Sequence, residues 1–250
     1  MNSAQYHGWR LAVLGAPSGA TKSQILAQAT SRFNRENIVY VGQGLTTINE
    51  VDLTPAQAAQ VVAGKISATP YNKTIWGGSK EKILALSGEK YIIDVGVLPG
   101  SAADGSATKE DIIEYNEKGV ITFVDELDGI RIREGVSTSQ NTTTGEDEVA
   151  VTRIVRHVKY LVYDRAYEML GQNITSTYKI DLEEYIKSGL EEMKVTDLSL
   201  IDIPDSGLTA YSVSVTLTAQ AGMKEGKVTV NVSITPVHAA RQITAQIVVM

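Results

Sequence analysis

The fold is predicted by a short run near the start of the chain, Trp9–Gly15 (WRLAVLG). This run is largely apolar and ends at glycine, which indicates a buried β-strand followed by a turn. Apolar residues at helical spacing predict a helix over Ser23–Phe33, with Ser23 as its N-cap. A second strand ending in glycine follows at Asn37–Gly42 (NIVYVG).

The clearest helix signal begins at Thr54, which is a predicted N-cap, with Pro55 at the first helical position and an expected end at Gly64. This alternation of strands and helices predicts an α/β layer with at least one parallel strand pair in a mixed sheet. Further along the chain we predict a helix at Lys109–Lys118 and strands at Val120–Val124 and Ile130–Arg133.

A polar stretch, Ser137–Glu148, carries no apolar side chain and is predicted to be a loop or linker between two domains. The first domain would span residues 1–136 and the second residues 137–250. After the polar stretch, the apolar residues first recur at helical spacing and then alternate with polar residues. This order predicts an α+β domain with two helices packed on an antiparallel sheet. Its expected elements are helices at Val151–Leu170 and Asp181–Met193, and strands at Tyr211–Thr218 and Lys227–Thr235.

The composition narrows the class of function. The chain has 250 residues, a net charge of −6 and no cysteine. Clustered Lys and Arg, which phosphate contacts require, are missing, so no nucleic-acid partner is expected. The absence of cysteine excludes disulfides, thiolate zinc sites and thiol nucleophiles. No apolar run approaches the roughly 20 residues that span a bilayer, and no signal peptide pattern opens the chain, so no membrane partner is expected.

One segment could bind phosphate. Gly15–Ser23 lies between a predicted strand and a predicted helix, where a phosphate-binding loop belongs. Such a loop needs glycine directly before its lysine, but Thr21 precedes Lys22. The alternative function, a nucleotide-binding α/β protein or enzyme that uses this turn, therefore depends on an incomplete motif.

Other reactive side chains form no recognisable site. His7, His157 and His238 are far apart in sequence and lack metal-ligand spacing. The acidic group at Asp125–Asp128 is typical of a turn, and the group at Glu146–Glu148 is expected to be solvated charge. We predict no catalytic residue, cofactor or metal, and we expect that the protein is not an enzyme.

The C-terminal segment has the strongest pattern. Ile243, Ala245, Ile247 and Val249 alternate with Gln242, Thr244, Gln246 and Val248. A β-prone strand of this kind can pair within its own sheet. Alternatively, it can complete the sheet of another subunit by β-augmentation, where main-chain hydrogen bonds supply the adhesion.

Several motifs, in order, resemble the C-terminal part of a contractile tail sheath protein of the phage or prophage type. They are Tyr6–Gly15, Asn34–Gly42, Thr54–Gly64 with the following Ala68, Glu134–Thr138, Val151–Val155, Gly171–Asn173 and Pro236–His238. No single motif is specific, but their order and spacing cover nearly the whole chain.

The resemblance implies a structural protein of the virion tail, assembled in the cytoplasm of a bacterial host. Sheaths of this family stack as six-subunit rings around an inner tube and shorten by moving rigid subunits that flexible arms keep linked. Its expected partners are other sheath subunits, the inner tail tube protein, and the baseplate and tail terminator proteins. Gln242–Val249 would be one of the linking arms, while an R-type bacteriocin and a type VI secretion system are equally compatible with the sequence.

The sequence departs from the family at its start, because relatives carry more chain there, including an N-terminal arm. We therefore expect either a trimmed chain or a short member of the family, and a monomer or weak oligomer in dilute solution.

Overall fold

The structure is a computed structural model. It describes residues 10–47, 49–69, 75, 85–86, 89–90, 92–126, 129–140, 147–169, 177–194, 208–218 and 227–236. Its strands are β1 (Ala12–Gly15), β2 (Ile38–Val41), β3 (Leu45–Thr47), β4 (Asp52–Leu53), β5 (Ala85–Leu86), β6 (Glu89–Lys90), β7 (Ile92–Val95), β8 (Val120–Ile121), β9 (Phe123–Glu126), β10 (Gly129–Ile132), β11 (Leu208–Thr218) and β12 (Lys227–Pro236). Its helices are α1 (Lys22–Ala27), α2 (Pro55–Ala68), α3 (Lys109–Glu117), α4 (Val149–Glu168) and α5 (Tyr178–Glu192), and a π-helical turn, Gln28–Arg32, continues α1.

A parallel sheet with the strand order β1-β2-β8 forms the centre of the first part of the chain. Side chains of a strand point alternately to its two faces. Val39 and Val41 of β2 therefore enter the core cluster that contains α2, while Tyr40 enters the cluster that contains α1 and α3. All three side chains are fully buried. The predicted α/β layer and its parallel strand pair are confirmed.

Antiparallel pairings surround this sheet. β3 pairs with β4 on one side and with β7 on the other, and β9 pairs with β10. The buried side chain of Gln43 connects these elements, because its amide nitrogen donates to Gly96 O (2.7 Å) and its oxygen accepts from Phe123 N (2.9 Å). The single mixed sheet predicted from the sequence is not found among the described strands, because the parallel and the antiparallel pairings lie in separate sheets.

Several helix ends differ from the predicted ones, for example the start of α5 at Tyr178 rather than Asp181, and two of the differences have a clear physical cause. Thr21, not Ser23, caps α1, because Gln24 three residues later completes a reciprocal capping box with Thr21. Thr54 caps α2 as predicted, again with a glutamine at the third position. However, α2 runs past Gly64 to Ala68, since the buried Ile66 continues its apolar face and a glycine is tolerated inside a helix.

The ends of the polar stretch are buried. Ser137 and Thr138 are fully buried, and Asp147 and Glu148 are 8% and 6% exposed. Thr138 N donates to Ile38 O (2.9 Å), and Ser137 N donates to Asp147 O (2.7 Å). The expectation of solvated charge is therefore wrong for Asp147 and Glu148, because this backbone folds against β2; residues 141–146 lie outside the described residues.

Contacts divide the chain into two compact units, and the second of them spans Arg153–Val237. In the second unit, α4 and α5 are followed by the antiparallel hairpin of β11 and β12. This arrangement confirms the predicted α+β class of the C-terminal part. This division falls within α4 and not at the polar stretch. A domain boundary at 136/137 therefore stays a prediction.

The two helices of the second unit approach closely at Gly189. A Cβ atom at this position would lie 2.6 Å from the guanidinium carbon of Arg165. Glycine thus leaves room for Arg165 to cross from α4 to α5, where it donates to Ser188 Oγ (2.5 Å) and lies 4.7 Å from the ring centroid of Tyr185.

Candidate assembly interface

The predicted assembly strand, Gln242–Val249, lies outside the described residues. The sheet nearest to it in sequence is the β11–β12 hairpin, which has ten paired positions and a register shift between Leu208 and Ala210. One face of the hairpin carries Tyr211, Val213 and Val215, opposite Ile234, Val232 and Val230. The other face carries Ser212, Ser214 and Thr216, opposite Ser233, Asn231 and Thr229. The hairpin therefore has one apolar and one polar face, as the period-two pattern predicts.

Helix α5 closes the outer edge of β11. Val215 N points away from β12 and donates to Glu183 Oε1 at 2.9 Å. Tyr211 OH donates to the carboxylate of Glu191, and Leu208 N donates to Met193 O at 3.1 Å. Covering an edge with a helix is one way in which proteins prevent unwanted strand pairing.

The outer edge of β12 has no such cover within the described part of the chain, where this sheet has only two strands. Hydrogen-bonded and non-hydrogen-bonded pairs alternate along an antiparallel ladder. Because Val215 N points outward, its partner Val230 belongs to a non-hydrogen-bonded pair, as do Val232 and Ile234 at the next alternate positions. Their main-chain groups therefore point away from β11, along an edge to which another strand can be added.

Lys22, the lysine of the incomplete phosphate-binding motif, contacts two carboxylates. Its Nζ atom donates to Asp111 Oδ1 (2.5 Å) and Glu114 Oε2 (2.6 Å). The hydrogen bond that Lys22 donates to Asp111 is the main cause that raises the pKa of Lys22, followed by the bond that it donates to Glu114. A phosphate at this ammonium would face two negative charges, so the geometry argues against nucleotide binding at Gly15–Ser23.

Asp111 is held by further donors. It accepts from Ser101 N (2.7 Å), Ser101 Oγ (2.8 Å) and Thr108 N (2.8 Å). Hydrogen bonds from Lys22 first, and then from the main chain of Ser101 and Thr108, hold the pKa of Asp111 well below its usual range. This cluster ties α1 to α3 and to the loop before α3.

A crevice of about 500 Å³ lies at the carboxyl ends of β1 and β2, the place where α/β proteins commonly bind ligands. Its exposed carboxylates already have hydrogen bonds, since Asp52 accepts from Thr46 Oγ1 (2.9 Å) and Asp94 from Val95 N (2.7 Å). The described residues contain no group of three or more side chains suited to hold a metal ion. They also contain no helix long and apolar enough to cross a membrane.

No protein-family model and no curated protein matches the chain. Solved structures do match. A chain of the anti-feeding prophage baseplate, determined by cryo-electron microscopy, is 15% identical with a TM-score of 0.64, covering 94% of this chain and 59% of that one. The sheath of an extracellular contractile injection system in its contracted state is 14% identical with a TM-score of 0.58, covering 94% and 62%. The sheath tail protein of Desulfitobacterium hafniense is 14% identical with a TM-score of 0.51, covering 90% and 49%.

The chain has a tail sheath fold. It spans between 49% and 62% of the length of these three structures. The resemblance drawn from the ordered motifs is confirmed at the level of the fold.

Two contacts of the structure could not be predicted from the sequence. Glu183, which closes the outer edge of β11, has helical spacing that marks it only as a surface charge. The contact between Lys22 and Asp111 joins residues 89 positions apart, and no local pattern indicates it.

Proposed function

We propose that the chain is a structural subunit of a contractile tail sheath. Subunits polymerise as stacked rings around an inner tail tube and contract to drive the tube through the envelope of the target cell. The observation that carries this proposal is a tail sheath fold whose hairpin has one edge closed by α5 and one edge without a described strand.

In this proposal, Gln242–Val249 of one subunit pairs with the outer edge of β12 in a neighbour. A two-stranded hairpin is marginally stable alone, and a third strand extends its apolar face. Val230, Val232 and Ile234 are half-buried, so they retain apolar surface that an added strand can cover. The alternation of Ile243, Ala245, Ile247 and Val249 supplies apolar side chains for that face.

The proposed partners are other copies of the chain, the inner tail tube protein, and the baseplate and tail terminator proteins. The proposed location is the tail of a virion or of a tail-like particle that is assembled in the bacterial cytoplasm. No chemical step is proposed, because Lys22 is occupied by Asp111 and Glu114.

The proposal is tested by Val232→Pro, with Val232→Ala as its matched control. Proline removes the N–H that points away from β11 and leaves the ladder to β11 in place. Alanine shortens the same side chain but keeps the N–H. Because a weak oligomer is expected in dilute solution, the proteins are concentrated before negative-stain electron microscopy. Under these conditions we expect hollow striated cylinders from the parent and the alanine variant, and none from the folded proline variant. Cylinders of normal length from Val232→Pro would contradict the arm contact, which is the pairing of Gln242–Val249 with β12 of a neighbour. A parent that forms no cylinders would contradict the proposed sheath function.

A further inference from the structure

A second sheet edge without a described neighbour lies at β1. In the order β1-β2-β8, no described strand flanks the other side of β1. Ala12 N donates to Asn37 O (2.9 Å) and Ala16 N donates to Val41 O (2.8 Å), so alternate residues face β2. The main-chain groups of Val13 and Gly15, which lie between them, therefore point outward.

A groove of about 510 Å³ runs along this edge. Ala56, Ala59 and Ala63 of α2 form part of its lining, and their short side chains leave it wide. Gln28 and Arg32 from the π-helical turn and Phe33, which follows it, also line the groove. The groove thus combines outward main-chain groups with an apolar wall.

Arg32 gives the groove its charge, since the other described lining residues are uncharged. Its guanidinium carbon lies 5.5 Å from the centroid of the Phe33 ring, and it forms no ion pair with a described residue. A segment that fits this groove is therefore apolar where it meets the alanine wall and acidic where it meets Arg32.

The tip of the β3–β4 hairpin has these properties. Val51 is 55% exposed and stands between the exposed acidic residues Glu50 and Asp52. The tip is held in shape, because Thr47 N donates to Val51 O (3.0 Å), Val51 N donates to Thr47 Oγ1 (3.2 Å), and Glu50 has a φ of 59°. β4 pairs only with β3 among the described strands, so its other edge also offers main-chain groups.

We propose that the Glu50–Asp52 tip of one copy docks in the groove beside β1 of a second copy. Val51 packs against the alanine wall, and the flanking carboxylates face Arg32. The inference rests on the proposed function, because sheath assembly is what brings copies together. Two different surfaces meet in this contact, and repeated heterologous contacts generate rings or open filaments.

The chain has no cysteine, so single thiols can be placed without background. One protein carries Val51→Cys and the other Gln60→Cys, at an exposed position on the rim of the groove. The two full-length chains are mixed at high concentration and treated with a short bis-maleimide, and the linked peptides are identified by mass spectrometry. We expect a cross-link between positions 51 and 60 of different copies.

Charge variants give the decisive comparison. Arg32→Glu in the Gln60→Cys chain places like charges together and should lower the yield of the 51–60 cross-link about tenfold. Adding Glu50→Lys and Asp52→Lys to the Val51→Cys chain should restore it. Arg35→Glu, at an exposed arginine outside the groove, is the matched control and should leave the yield unchanged.

Absence of the 51–60 cross-link from folded variants, or equal yields from Arg32→Glu and Arg35→Glu, would overturn the inference. If the unmodified protein still forms cylinders by microscopy, only this contact fails and the proposed function stands. A charge-dependent cross-link without cylinders would support the contact and contradict the sheath function.

Discussion

At Asp111, one carboxylate accepts from the ammonium of Lys22, the main chain of Ser101 and Thr108, and the hydroxyl of Ser101. These donors come from α1, from the loop after β7 and from the N-cap of α3. A single side chain thereby joins α1, the loop after β7 and the start of α3.

The lowered pKa of Asp111 predicts the sign of a pH effect. The unfolded carboxyl titrates near pH 3.9, whereas the folded one stays ionised to lower pH, so its contribution to stability is present above about pH 4 and is lost as the pH falls below it. Asp111→Asn should lower the free energy of unfolding at neutral pH and flatten its acid dependence. Urea denaturation across this pH range measures both effects.

The matched control for Asp111→Asn is Glu114→Gln. Glu114 also contacts Lys22, but its side chain is 45% exposed, and exposed ion pairs contribute little. We expect Glu114→Gln to change the free energy of unfolding only slightly and to keep the loss of stability at acid pH. Equal acid dependence in the parent and in Asp111→Asn would contradict the role given to Asp111.

The space around Gly15 and Gly64 predicts opposite effects of alanine on stability. A Cβ atom at Gly15 would lie 2.2 Å from Pro55 O, whereas one at Gly64 would meet nothing within 4 Å. Gly15→Ala should destabilise the protein by about 1–3 kcal/mol through overpacking. Gly64→Ala, inside α2, should stabilise it by about 0.5–1 kcal/mol. Thermal denaturation of both variants tests this order, and a stabilising Gly15→Ala would contradict the close packing of β1 on α2.

Among the elements, those with local signals could be predicted from the sequence. Thr54 and Pro55 specify the start of α2 through capping and a fixed φ, and the alternation in β11 and β12 specifies their two faces. The cap of α1 could not be chosen from hydroxyl residues alone, because Gln24 selects Thr21 over Ser23. Burial of Asp147 and Glu148 could not be foreseen, since it depends on a backbone path across β2 rather than on their own residue types.

Closure of the β11 edge by α5 leads to a prediction for Glu183. Glu183→Ala leaves Val215 N without its acceptor and should lower the free energy of unfolding by about 1–2 kcal/mol. It should also increase aggregation, because a second edge of the hairpin becomes available. Glu184→Ala, which removes a 67% exposed carboxylate from the same helix, should change stability by less than about 0.5 kcal/mol. Chemical denaturation and light scattering compare the two, and equal behaviour would contradict the edge-closing role.

For the whole molecule, the sequence led to the fold through the order of many weak motifs, and solved sheath structures confirm it at 14% identity. The candidate interface was only partly predictable. The period-two pattern indicated the hairpin, but which of its edges stays available depends on where α5 packs.

Amide hydrogen exchange at Val230, Val232 and Ile234, compared between dispersed protein and assembled particles, tests the arm contact most directly. Their N–H groups point away from β11, so they should exchange readily when the protein is dispersed and become protected on assembly. Equal exchange in both states would show that no strand is added at β12 and would contradict the proposed pairing between neighbouring subunits.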